Sequence, residues 1–157
     1  MKRSWKAAML ASAAVGALVL GGCGSDQGAS GDKPQIGVAI YKFDDTFMSG
    51  VRAEIDKAAK DKAKVDIVDS QNSQPTQNEK IDLFINKKYK AIGVNVVDRT
   101  AAGVIIDKAK AANIPLVFLN REPLKEDMAK WDKVYYVGAK AEQSGEMQGK
   151  ILADYFK

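Results

Sequence analysis

The residues from Ile36 to Ala59, IGVAIYKFDDTFMSGVRAEIDKAA, leave few folds open. Ile36 to Ile40 is a short apolar run with β-branched residues, and it breaks into a polar turn carrying two adjacent carboxylates, Asp44 and Asp45. A helical period follows at once. Phe47, Met48, Val51, Ile55 and Ala58 or Ala59 share one face, and Arg52, Glu54, Asp56, Lys57 and Lys60 share the other. The segment therefore reads as strand, loop and helix. In an open α/β sheet, ligands bind at the loops beyond the carboxyl ends of the strands, so Tyr41, Asp44, Asp45 and Phe47 stand where a small molecule would be held. An aromatic face beside a carboxylate suits a sugar, because the ring packs on apolar C–H surface while the carboxylate accepts hydroxyl protons.

The same alternation continues to the end of the chain. Strands are expected at Ile36 to Tyr41, Val65 to Asp69, Ala91 to Asn95, Pro115 to Leu119 and Val134 to Val137. Helices are expected at Phe47 to Lys62, Thr76 to Lys87, Ala101 to Ala112 and Ala141 to Phe156. Alternation of this kind implies right-handed crossovers and an α/β fold, a parallel sheet with helices on both faces. Near-continuous apolar runs such as IGVNVV and IPLVFL fit strands buried on both sides. Polar turns mark the boundaries: Asp69 to Pro75 after the second strand, Asp98-Arg99-Thr100 as a capping turn after the third, and Asn120-Arg121-Glu122-Pro123 after the fourth. Asn120 therefore shares a rim with Asp45, since both follow the carboxyl end of a parallel strand.

The first residues carry a different signal. Lys2, Arg3 and Lys6 precede an uncharged run from Ala7 to Leu20, the pattern of a secretory leader that is too short and too rich in small residues for a stable membrane span. Leu20-Gly21-Gly22-Cys23 has the order of a bacterial lipoprotein signal. Residues 1–22 then form the leader, Cys23 is the lipidated residue carrying a palmitate-type anchor, and residues 23–34 are a flexible Gly- and Ser-rich tether. The protein is accordingly expected outside the cytoplasm, in the periplasm or at the cell surface, held to the membrane by lipid.

Without Lys2, Arg3 and Lys6 the chain has 21 basic and 20 acidic residues, so its charge gives no reason to expect nucleic acid. The sequence contains no histidine and Cys23 is its one cysteine, which removes Ser-His-Asp and Cys-His catalysis and His-ligated zinc from this chain. It has no calcium loop and no phosphate-binding loop, so no cofactor and no metal is expected within it.

The segments IGVAIYKFDDTFM, DSQN, VNVVDRTAAG, ANIPLVFLNREP, DKVYYVG and AEQSGEMQGK resemble the amino-terminal half of the bacterial galactose/glucose-binding proteins, solute receptors of ABC sugar importers. The resemblance runs from about Gln35 to Lys157. It implies a type I periplasmic-binding-protein fold of two lobes closing over one pyranose, with residues 35–138 as the amino-terminal lobe and residues 139–157 as the first helix of a second lobe that the sequence does not continue. The family's calcium site, second stacking aromatic and remaining contacts lie in that second lobe. By match to the family's motifs, Asp45 resembles the carboxylate that accepts from sugar hydroxyls, Asn120 the amide that reaches the same sugar, and Phe47 the aromatic stacked on the ring. Tyr41 stands at the rim as part of the wall. Asp44 is the weaker carboxylate, because successive side chains of an extended segment point opposite ways. Trp131 is expected to pack rather than to bind. Implied partners are a monosaccharide and an ABC permease, with a chemoreceptor as a further candidate.

Two other classes compete with this reading. A LacI-type regulator shares the fold, but a leader and lipid-type cysteine occupy the place of a helix-turn-helix. A glycosidase using Asp44 and Asp45 would need carboxyls facing one another across a sugar, which two neighbours on a short turn do not supply. A receptor for a pentose or another small sugar is a further alternative, because half of the sugar contacts belong to the second lobe.

Overall fold

The computed structural model describes residues 33–157. The expected leader, the lipidation residue Cys23 and nearly all of the tether lie outside these residues. Five strands, β1 (Gln35–Ile40), β2 (Lys64–Asp69), β3 (Ala91–Val94), β4 (Leu116–Leu119) and β5 (Val134–Val137), form one sheet. The order is β2-β1-β3-β4-β5 and each neighbouring pair is parallel. Helices α1 (Thr46–Ala59), α2 (Gln74–Asn86), α3 (Ala102–Ala111), α4 (Lys125–Met128) and α5 (Ala141–Tyr155) complete the described chain.

Alternating side chains of the strands feed two cores. Val38 and Ile40 of β1 join Met48, Val51 and Ile55 of α1 on one face. Ala39, with Ile92 and Val94 of β3 and Leu116 and Phe118 of β4, meets Ile81, Phe84, Ile105 and Ile106 from α2 and α3 on the other. Each fully buried Val, Ile, Leu, Met or Phe among them contributes roughly 1.5–3 kcal/mol, so the period-2 pattern of the strands also fixes their register. The expected arrangement, helices on both faces of a parallel sheet, is the one observed.

Most element boundaries fall within two residues of the sequence expectation, and the exceptions have local causes. Helix α1 ends at Ala59 rather than Lys62, because residues 60–62 turn the chain so that Lys64 can pair beside Gln35. A 3-10 turn over Arg99–Ala101, capped by Asp98, leads into α3. The four-residue α4 was not expected; it is too short to display a period. Trp131 packs against the larger core, as expected.

Below the sheet, Tyr89 is buried, stacks on Phe84 with ring centroids 5.1 Å apart and donates its hydroxyl proton to Asp66. That bond, with burial and the carboxylate's charge, pushes the Tyr89 phenol up to about 12. A phenol raised in the folded state stabilises the fold fully below its unfolded value near 10, and the contribution is lost as pH rises through the folded value. Wild-type stability should therefore fall between about pH 10 and 12 by more than that of Tyr89→Phe. Urea denaturation at both pH values measures the difference.

Candidate functional site

The strand order reverses between β1, which pairs with β2 on one side, and β3 on the other. At such a switch point the loops after the two strands run in opposite directions and leave a crevice beyond their carboxyl ends. Tyr41 and Asp45 follow β1, Asn95 follows β3, and Asn120 follows β4, so all four stand on this rim.

Asp45 is the N-cap of α1, with extended backbone angles of φ −85° and ψ 122°. Its Oδ1 accepts from the Met48 amide at 2.8 Å, and its Oδ2 accepts from the Tyr41 hydroxyl at 2.5 Å. The Tyr41 bond first, and the Met48 amide second, hold the Asp45 carboxyl below the usual carboxylate value; the same bond raises the Tyr41 phenol. Asp45 is therefore an ionised acceptor at neutral pH whose orientation is set by folding rather than by a ligand. Asp44 turns away to solvent and pairs with Lys42 at 3.3 Å, as the alternation of the extended turn requires.

Asn120 reaches the same spot from the far side. Its backbone has φ 61°, a left-handed conformation that asparagine tolerates better than most residues, and its amide nitrogen donates to the Val137 carbonyl at 2.9 Å. The side-chain Nδ2 lies 3.7 Å from the sulfur of Met48, the residue whose amide caps on Asp45. Asp45 and Asn120, 75 positions apart in the chain, thus converge on the first turn of α1.

Phe47 departs from the helical-face expectation. Met48 is fully buried, while Phe47 is 66% exposed and borders a shallow apolar groove with Val51, Ile55, Leu119 and Val137. A ring at the start of a helix and free of the core has a face available for packing on a ligand. Tyr41 is 7% exposed, with its hydroxyl committed to Asp45, which makes it a wall and a support.

Three residues that the sequence did not single out hold this rim in place. The guanidinium carbon of Arg121 sits 3.9 Å from the centre of the Tyr41 ring, and its Nη1 donates to the carbonyls of Val96 at 3.3 Å and Val97 at 2.9 Å. One side chain thereby ties together the loops after β1, β3 and β4. Asn95 is fully buried; its Oδ1 accepts from the Tyr41 amide at 3.3 Å and its Nδ2 donates to the Leu119 carbonyl at 3.0 Å. Gln77 of α2, also fully buried, donates to Ser70 Oγ and to the Asn95 carbonyl, and its Oε1 accepts from the Val97 amide. Buried polar groups of this kind remain only where nearly every donor and acceptor is matched, and a matched network makes the floor of a rim rigid. Their one sequence signal was a polar residue at the end of a strand or inside a helix face, which turns and exposed faces also produce.

The described residues thus form a parallel α/β sheet that carries a fixed carboxylate, an amide and an outward aromatic on its carboxyl rim. Residues 36–157 match the family model described as a periplasmic binding protein domain. The chain is 45% identical over 125 residues to the D-galactose/methyl-galactoside binding periplasmic protein of Haemophilus influenzae, covering 78% of this chain and 38% of that protein. It is 29% identical to the ribose import binding protein of Bacillus subtilis, covering 80% of this chain and 40% of the relative. Among solved structures, an ABC transporter periplasmic solute binding protein from Actinobacillus succinogenes with bound D-allose superposes with a TM-score of 0.68 at 25% identity, covering 78% of this chain and 44% of that one. The chain belongs to the periplasmic binding protein family. It spans about two fifths of the length of these curated relatives, which are named for binding galactose and methyl-galactoside and for importing ribose.

Proposed function

We propose that this chain supplies the amino-terminal half of a monosaccharide site in an extracytoplasmic receptor that delivers sugar to an ABC importer. The observation that carries this reading is the convergence of the Asp45 carboxylate and the Asn120 amide on one turn of α1, beside the exposed ring of Phe47. Asp45 accepts from sugar hydroxyls, Asn120 both donates and accepts, and Phe47 covers the apolar face of the ring. Galactose is favoured by the Haemophilus relative's name and its 45% identity, and glucose by the family resemblance of the sequence motifs. Residues 139–157 fit the start of a second lobe, since every residue of α5 is exposed, including Met147, Ile151 and Leu152.

One lobe leaves the second face of a bound sugar wet, so contacts from this chain alone give a dissociation constant of about 1 mM or weaker. Titration of the chain with galactose, glucose and ribose, followed by amide chemical shifts, should perturb residues 44–48 and Asn120, with galactose or glucose ahead of ribose. Perturbation confined to other loops, or none at tens of millimolar sugar, overturns the assignment.

Anchoring is a separate part of the proposal. Cys23→Ala should release the protein from the membrane, since it removes the attachment point for the acyl chains. Metabolic labelling with a palmitate analogue checks it: no label on the wild type, with protein already free of the membrane, rejects the lipoprotein reading.

A further inference from the structure

The two ends of the parallel sheet differ in charge. The four connections that lead from a helix into the next strand, residues 60–63, 87–90, 112–115 and 129–133, hold seven lysines and two aspartates. The five connections at the opposite end, residues 41–45, 70–73, 95–98, 120–124 and 138–140, hold three basic and four acidic residues. The amino ends of the strands are therefore strongly positive, and the sugar rim is near neutral. Lys60, Lys62, Lys87, Lys88 and Lys90 of the basic end are all exposed.

Helix dipoles account for part of this, because a cation favours the last turn of a helix. The dipole's effect fades within a turn, however, and Lys62, Lys88 and Lys90 lie beyond the ends of α1 and α2. The chain also enters the fold at this end. Lys33 begins the described residues, and its Nζ donates to the Lys60 carbonyl at 2.8 Å, fixing the entry point beside the basic connections. Nine residues separate Lys33 from Cys23, which limits the distance between them to about 35 Å at most.

We propose that the lysine-rich amino end of the sheet is a docking surface for an anionic phospholipid bilayer. The proposal goes beyond sugar binding and rests on the anchoring reading only for which bilayer lies within reach. Docking sets the molecule's orientation: the basic connections meet the headgroups, and the rim carrying Asp45, Phe47 and Asn120 faces away from the membrane, about 20 Å further out along the strands. The attraction acts within a Debye length, roughly 8 Å at physiological salt, so it holds the domain against the bilayer only once the tether has brought it there.

The test uses the full chain carrying Cys23→Ala, so that no acyl chain contributes, and flotation with vesicles of phosphatidylcholine with or without phosphatidylglycerol. The leader's own charge is common to every variant and cancels in the comparison. Replacing Lys62, Lys87, Lys88 and Lys90 together by Gln should weaken binding to phosphatidylglycerol vesicles by on the order of a hundredfold at low salt, and the four-Arg counterpart should retain it. Replacing Lys125, Lys140, Lys150 and Lys157 by Gln changes net charge equally and should have less than a tenth of that effect. Equal losses in the two four-Gln variants would reduce the effect to net charge and overturn the proposal, as would absence of phosphatidylglycerol-dependent binding in the parent chain. Binding to a soluble poly(glycerol phosphate) but not to vesicles would also overturn it, by assigning the surface to an acidic polymer instead.

Discussion

Asp45→Ala should lower monosaccharide affinity by about thirtyfold to a thousandfold, roughly 2–4 kcal/mol, because enclosed hydroxyl donors lose a charged acceptor. The measurement is calorimetry on this chain joined to the carboxyl-terminal remainder of the Haemophilus relative, which closes the other face of the sugar. Alanine at this position also removes the cap from α1, a loss of about 1 kcal/mol in stability that could be mistaken for a binding effect. Asp45→Asn separates the two roles, since asparagine caps a helix as well as aspartate does but brings no charge. It should keep the cap of α1, give up only the charged acceptor of the Tyr41 hydroxyl, and still lose at least tenfold in affinity. Asp44→Ala should change affinity by less than twofold, its carboxylate being turned to solvent and Lys42. If Asp44→Ala proves the costly change, or Asp45→Asn binds as the parent does, the carboxylate has been assigned to the wrong residue.

The largest effects on stability are expected where the middle of β1 meets α2. A Cβ on Gly37 would stand 2.4 Å from Cδ2 and 2.5 Å from Cγ of the Phe84 ring, which is fully buried and cannot swing away. Gly37→Ala should therefore cost about 3 kcal/mol, at the upper end of the range for overpacking. Phe84→Ala should cost about 3–5 kcal/mol, since it opens a cavity where α2 meets the sheet. The pair should not add: with Phe84→Leu making room, Gly37→Ala should lose at least 1 kcal/mol less than it does alone. Urea denaturation of the four proteins tests the coupling. Additive losses would mean that the glycine is required for some reason other than the ring above it.

These two positions also illustrate what the chain reveals before it is folded. The strand around Gly37 was legible because apolar runs and turn residues are local signals, and all five strands and the four longer helices were found that way. The need for glycine at position 37 was not legible, because the ring that enforces it is 47 positions away. The site divides along the same line. Asp45 and Asn120 could be placed on one rim from strand polarity alone, since both follow the carboxyl ends of parallel strands. Arg121, Asn95 and Gln77 were passed over, because what distinguishes them is a set of bonds to carbonyls and amides 18 to 54 positions distant. Phe47 stands at the edge of its helical face rather than at its centre. A helical period gives a face but not its edges, and the turn of α1 places Met48 inward and Phe47 outward.

In the proposed site the carboxylate that starts α1 is also the one offered to the ligand, so its orientation is set when the chain folds and little further freedom would be lost when a sugar arrives. Such preorganisation limits how the site can diverge. A residue that also begins a helix and anchors a tyrosine cannot be exchanged to suit a new sugar without disturbing both. If the proposed site holds, selectivity among hexoses and pentoses at this rim would be tuned through side chains with no structural duty, such as the exposed ring of Phe47. Asp45 would remain the fixed point against which any such sugar is oriented.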